Sequence, residues 1–307
     1  MRRRILALTA LLAFGATPGT YAQTTAVSPH RTDSALSLFE RPIEVETPKG
    51  HARNELFLFL PGTAAAPHMY RKILDEASSR GFHAIGLTYD NGKMVNKRCK
   101  TSTDRFCWGT VRAEELDGAH PSSELTIPAD QSIVNRLTKL LAYLAKRYPS
   151  QGWQRYLAAG KPAWDAIVVG GHSQGAGEAA YMGKIFALRG VCGFDSPSDG
   201  NAKISVPAWL TMPDRTPVAR EFVFTNRDDQ LATWNVVTTN ARAIGLHGTA
   251  SVDGAQPPYG GAHLLYTTVP GKGFLNSHDL TIMDYITPMN GNTPAYAQVW
   301  DTACFQH

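Results

Sequence analysis

The chain has 307 residues, 43% hydrophobic and 18% charged, with a formal net charge of +4. That is enough apolar material for one large core, and it excludes the collagen-like, low-complexity and disordered classes. A mean hydropathy of −0.22 argues against a multi-span membrane protein. With no basic run in the body of the chain, nucleic acid is not an expected partner.

Arg2, Arg3 and Arg4 precede an apolar run from Ile5 to Ala13, and a Gly/Pro-broken stretch then leads to Thr20-Tyr21-Ala22. This is the pattern of an export signal, with a run too short to span a bilayer. Cleavage is expected after Ala22, which leaves 285 residues and a formal charge of about +1, so the mild basicity says nothing about partners. The first cysteine is Cys99, so neither a lipid anchor nor any other stable membrane anchor is expected. A secreted or periplasmic setting is oxidising and makes the four cysteines readable. Cys99 and Cys107 bracket a polar loop that a short bridge would rigidify. Cys192 and Cys304 are left for each other, or stay as two buried thiols. No pair has CxxC spacing and no HExxH occurs, so neither metal nor cofactor is expected.

In chain order, residues 23–52 are polar and irregular and read as a loose lead-in. Residues 55–60 are an uninterrupted apolar run ending at Pro61-Gly62, a strand buried on both faces. Tyr70 to Arg80 has helical spacing, with Ile73, Leu74 and Ala77 on one side and Gly81 as its stop. Residues 83–89 read as a strand. The Cys99–Cys107 loop and a polar stretch follow, and residues 91–128, with little periodicity, read as an insertion over the sheet's edge. Ile133 to Tyr148 is an amphipathic helix with Leu137, Leu140, Leu141 and Leu144 on its apolar face. Ala166 to Gly170 is another buried strand, and Ala176 to Leu188 a helix rich in small residues. Val191 to Phe194 and Phe222 to Thr225 are strands, Leu231 to Leu246 a helix, and His263 to Val269 a late strand. There is no repeat and no linker. Alternating strands and helices with continuous apolar strands predict one α/β domain over residues 23–307, a mostly parallel sheet with helices on both faces.

The chemistry gathers at Gly171-His172-Ser173-Gln174-Gly175, a G-x-S-x-G between the apolar run 166–170 and the small-residue helix. A serine on so tight a turn projects its hydroxyl from the sheet, and the flanking glycines let strand and helix backbones approach. The helix N-terminus then offers amides to a developing oxyanion. Here the chain resembles the α/β-hydrolase superfamily, and within it the secreted serine esterases and lipases.

That resemblance implies an acid and then a histidine later in the chain. Asp229, just past the strand 222–225, is similar to the family's acid, with Asp228 next to it. One of the two is expected only to cap the following helix. Asp195 and Asp199, after the preceding strand, are further candidates. His278 lies in a loop after the late strand and before Leu280 to Met283, read as the start of a closing helix; His247 and His263 compete with it. The oxyanion donors implied are the amides of Gln174 and of Thr63, the latter in a Leu60-Pro61-Gly62-Thr63 loop that has no histidine and a single glycine, unlike the family's HGGG form. The activity implied is cleavage of a small or polymeric carboxylic ester through an acyl-enzyme on Ser173. The alternatives are a secreted serine peptidase of the same fold and a non-catalytic exported binding protein. Trp108, Trp234 and Tyr259 are candidate pocket residues, with core or rim the commoner place for aromatic side chains. Arg112, Glu114 and Glu115 read as a solvated charged face or a loop ion pair.

Overall fold

The computed structural model of the chain describes residues 24–271, 273 and 276–306, so the expected export segment, residues 1–22, lies outside the described residues. Nine strands form one sheet: β1 (Thr24–Val27), β2 (Ile43–Glu46), β3 (Leu56–Leu60), β4 (His83–Gly86), β5 (Ile167–His172), β6 (Gly190–Phe194), β7 (Glu221–Asn226), β8 (Thr249–Ser251) and β9 (Leu264–Thr267). Their spatial order is β1-β2-β4-β3-β5-β6-β7-β9-β8. β1 and β2 pair antiparallel with their neighbours, and every pair from β4 to β8 is parallel. The mostly parallel α/β architecture expected from the sequence is therefore present.

The alternation along β3 shows why its sequence is apolar throughout. Leu56, Leu58 and Leu60 join the core on one face of the sheet, and Phe57 and Phe59 join the core on the other. A strand covered on both sides has no position left for water. Over the leucine face lie α2 (Cys107–Asp117), α3 (Ile133–Arg147), α4 (Gln174–Ile185) and α5 (Trp234–Ile244). The α3 leucines at 137, 140, 141 and 144 are all buried there, and Ser132 caps the helix by accepting from the Asn135 amide at 3.3 Å. Over the phenylalanine face lie α1 (Arg71–Ser79) and the C-terminal segment with Trp300 and Phe305.

Two sequence expectations need correction. The lead-in at 23–52 is not loose, because β1 and β2 extend the sheet, held by backbone pairing that a polar sequence supports as well as an apolar one. Residues 91–128 are not an irregular layer over the sheet's edge. They contain α2, which packs against α3 and α4 beneath the helix that follows Ser173. The helix has no apolar stripe because its charged residues are buried along with its apolar ones.

Both disulfides are present, Cys99–Cys107 and Cys192–Cys304, and no described cysteine is free. The second ties the central strand β6 to the C-terminal segment across a sequence separation of 112. Closing so long a loop removes several kcal/mol of unfolded-chain entropy, about 5 in the chain-entropy account. Replacing Cys192 and Cys304 together by alanine should lower Tm by about 10 °C in a thermal melt, and an unchanged Tm would show that the bond carries no such constraint.

Candidate active site

Ser173 stands between β5 and α4 with φ 53° and ψ −114°, a left-handed backbone that a non-glycine residue adopts at a cost. The glycines on either side make the turn possible. A Cβ on Gly171 would lie 2.3 Å from the Gly175 backbone, and one on Gly175 would lie 2.0 Å from the Leu60 carbonyl oxygen. A Cβ on Gly62 would meet the Ser173 Cβ at 3.3 Å. Strand, turn and the loop after β3 are thus pressed together at the carboxyl ends of the parallel strands, where open α/β sheets place their sites. Ser173 is half-buried and lines a cleft of about 430 Å3 with Gly62, Thr63, Met69, His172 and His278, among others.

The loop after β7 carries Asp229 and the short helix Asn276–Asp279 carries His278, and the two meet. His278 Nδ1 lies 2.6 Å from Asp229 Oδ2, with both residues buried. The other Asp229 oxygen accepts from the amides of Leu231 at 2.7 Å and Ala232 at 3.0 Å, which fixes the carboxylate. Nδ1 therefore carries the proton it shares with Asp229, and Nε2 is the basic nitrogen; it is buried and has no hydrogen-bond partner among the described residues, Ser173 included. Burial alone would lower the His278 pKa, but the hydrogen bond and charge of Asp229, with Asp195 and Asp279 further away, hold it above the ordinary histidine value.

Asp195 is close by in a different role. Its Oδ1 accepts from the Asn226 amide at 2.9 Å and the Thr225 hydroxyl at 3.1 Å, while Oδ2 accepts from the Thr281 hydroxyl. It thus bridges the loop of Asp229 to the segment of His278. Burial, and then the Asp229 charge, push its carboxyl well above the usual range. His172 braces the same segment from below. Its Nε2 lies 3.1 Å from the His278 carbonyl oxygen, which only a donor can approach, so Nδ1 accepts from the Tyr70 hydroxyl at 2.9 Å. Burial drives the His172 pKa well below its ordinary value, so the ring is neutral. The Tyr70 hydroxyl in turn accepts from the Gly62 amide at 3.2 Å.

Among the described residues, one group could hold a metal: His172, His278 and Asp279, with ligand atoms within 4.8 Å of one another. Both His172 nitrogens are already committed to Tyr70 and to the His278 carbonyl, so the group does not offer three free ligands.

The other sequence candidates lie elsewhere. Asp228 is exposed. Asp199 is paired with Arg112, its oxygens accepting from Nε at 2.8 Å and Nη2 at 2.6 Å. Neither Asp228 nor Asp229 caps α5, whose N-cap is Thr233. His263 opens β9, with its ring stacked on Phe222 and its backbone amide bonded to the His247 carbonyl, so both compete from the wrong end of a strand. Residues 280–283 begin no closing helix; the chain turns there. None of Trp108, Trp234 and Tyr259 lines the cleft. Trp108 is in the core with its Nε1 on Asn96, Trp234 packs edge-on against Tyr266, and Tyr259 is buried in the opposite core. Arg112, Glu114 and Glu115 are not a solvated face, since all three are buried. Glu114 accepts from the amides of His120 and Ile127 and shapes the loop between them. No periodic signal marks buried charge, but the absence of an apolar stripe in so apolar a chain was itself a hint.

No family model matches the chain, and no curated protein does. Among solved structures it is similar to Thermogutta terrifontis esterase 2 phosphoramylated by tabun, with 12% identity, 95% of both chains covered and a TM-score of 0.43. It is also similar to TT1662 from Thermus thermophilus, with 16% identity, 81% of this chain and 88% of that chain covered and a TM-score of 0.37.

The packing at the turn can be tested directly. Gly175→Ala should destabilise by more than about 2 kcal/mol, because the added methyl must displace backbone. Gly92→Ala, where the nearest atom would be 3.5 Å away, should stay within about 0.5 kcal/mol of the parent in urea melts. Equal stabilities would contradict the close approach. A mostly parallel sheet in this order, with a strained serine between β5 and α4 and with Asp229 and His278 following it in the chain, is the arrangement that the resemblance seen in the sequence implied.

Proposed function

We propose that the chain is an exported serine hydrolase that cleaves carboxylic esters through an acyl-enzyme on Ser173. One arrangement carries the reading: an imidazole bonded at Nδ1 to a buried carboxylate, with its Nε2 unclaimed, lines the same cleft as a serine on a strained turn. In this mechanism His278 Nε2 takes the Ser173 proton as Oγ attacks the ester carbonyl. Asp229 holds the tautomer and stabilises the imidazolium. The amides of Thr63 and Gln174, which have no partner among the described residues, receive the oxyanion. The imidazolium then protonates the departing alcohol. Water, activated by the same ring, attacks the acyl-serine, releasing the carboxylic acid and restoring the serine.

The cleft wall supports an apolar acyl or alcohol group, since Met69, Met94, Leu231 and Met283 line it and no described cation does. Two disulfides favour the oxidising compartment that the first 22 residues suggest. Among the described residues no helix is long and apolar enough to cross a membrane.

A fluorophosphonate probe should label wild-type protein at Ser173, and Ser173→Ala should abolish both labelling and turnover of short p-nitrophenyl esters without changing the melt. A labelled protein that cleaves peptidyl amides faster than esters would indicate a peptidase instead. Absence of labelling would leave a binding protein on a hydrolase scaffold.

The pH profile provides a second test. The base works only when neutral, and its pKa is raised, so the acid limb of kcat/KM should have its midpoint above the ordinary histidine value of 6.5. Asp229→Asn removes the charge that raises it. The midpoint should move to lower pH, and kcat should fall roughly 100- to 10,000-fold. A midpoint that does not move would remove Asp229 from the assignment.

A further inference from the structure

The proposed function leaves unexplained a set of buried charges directly beneath the turn. Arg112, Glu115, Glu178 and Asp199 are each at most 2% exposed. Arg112 bonds Asp199 through two nitrogens, reaches Glu178 Oε1 at 2.5 Å and points Nη1 at the Gln174 carbonyl at 3.4 Å. A single arginine cannot balance three carboxylates in a dry interior. Burial, and next the neighbouring Glu178, push the Glu115 carboxyl well above the usual range, so Glu115 keeps its proton and donates it to Glu178. Arg112 then faces the two carboxylates of Asp199 and Glu178, and the cluster keeps one net negative charge.

Its free side faces the site. The Gln174 side chain donates from Nε2 to the two Glu115 oxygens at 3.0 and 3.1 Å. That fixes which end of the amide is nitrogen, so Oε1 must face the other way, where it accepts from the Thr63 hydroxyl at 2.8 Å. Thr63 and Gln174 are the two residues whose backbone amides receive the oxyanion in the proposed mechanism. They come from separate loops, and this bond is a direct side-chain tie between them. The Thr63 hydroxyl is spent on the tie, which leaves the Thr63 amide as that residue's donor to the cleft.

We propose that Glu115 is a positioning residue for the oxyanion hole: through the Gln174 side chain it holds Thr63, and so sets the spacing of the two amide donors. The segment containing α2, anchored at its start by the Cys99–Cys107 disulfide, is on this view the buttress of the site. Buried ion clusters can often be replaced by apolar residues at little cost in stability. A cluster maintained beside the nucleophile, with its outermost bond on an oxyanion donor, fits a geometric role better than a stabilising one.

The inference rests on the esterase reading, and the test separates the two. Thr63→Val, Glu115→Leu and Glu115→Gln are compared with wild type for kcat and KM on a p-nitrophenyl ester, and for inhibition by an alkyl boronic acid that mimics the tetrahedral state. Thr63→Val and Glu115→Leu should lose roughly 10- to 50-fold in kcat with KM within about twofold, less than the loss of a whole donor. Boronate affinity should fall by the same factor. Glu115→Gln still accepts from Gln174 and donates to Glu178, so it should stay within about threefold of wild type. Thr63→Val carries the test if Glu115→Leu fails to fold. A kcat in Thr63→Val within twofold of wild type, a loss confined to KM, or a Glu115→Gln variant as impaired as Glu115→Leu would each overturn the proposal. Wild-type protein that neither turns over nor labels would overturn the esterase reading and this inference with it, a result distinct from equal turnover in all variants.

Discussion

The contact on which the site depends is between backbones: the peptide after Ser173 lies against the end of β3, with no room for even a methyl group at Gly175. This closeness places three things within one small volume. It strains Ser173 into the left-handed region at the wall of the cleft. It brings the first amides of α4 to the cleft, where the helix dipole is positive. It also presses the loop of Gly62 and Thr63 against the turn, so donors from two parts of the chain converge. Side chains farther away then hold what the backbones have brought together, through Tyr70, His172 and the Gln174 bridge.

The second organising feature is the treatment of charge. Near His278 two buried carboxyl groups are used differently. Asp229 is held by two amides and by the His278 imidazole. Asp195 is pushed toward its neutral form and ties the acid loop to the histidine segment. Beneath the turn, the Arg112 cluster reduces its excess of negative charge by keeping a proton on Glu115. In each case the low-dielectric interior makes a partner obligatory, and the partner chosen also fixes a loop. Removing such a group would therefore disturb position as well as charge.

The candidates for the base and its acid could be narrowed from chain order, because strands announce their ends and the residues just beyond them are few. Sequence does not separate Asp229 from Asp228, since adjacent aspartates point in different directions only once the turn is formed. Asp195 and Asp199 illustrate the same limit: one ties two loops near His278, the other neutralises Arg112, and nothing local distinguishes them. Trp108, Trp234 and Tyr259 lie outside the cleft, as aromatic side chains more commonly do, and size and polarity alone describe core and cleft equally well. The methionines that do line the cleft carry no pattern at all.

The sequence alone determined the α/β class, the order of strands and helices in the main body, and the turn at 171–175. Each depends on local rules: apolar periodicity, small residues at close approaches, and turn chemistry. Only the tertiary structure decided that residues 24–46 join the sheet, that α2 is a helix with buried charge, and which carboxylate meets His278. Those outcomes depend on which groups far apart in the chain desolvate one another. A buried ion network has no periodicity along the chain, because its members are chosen by charge balance in space.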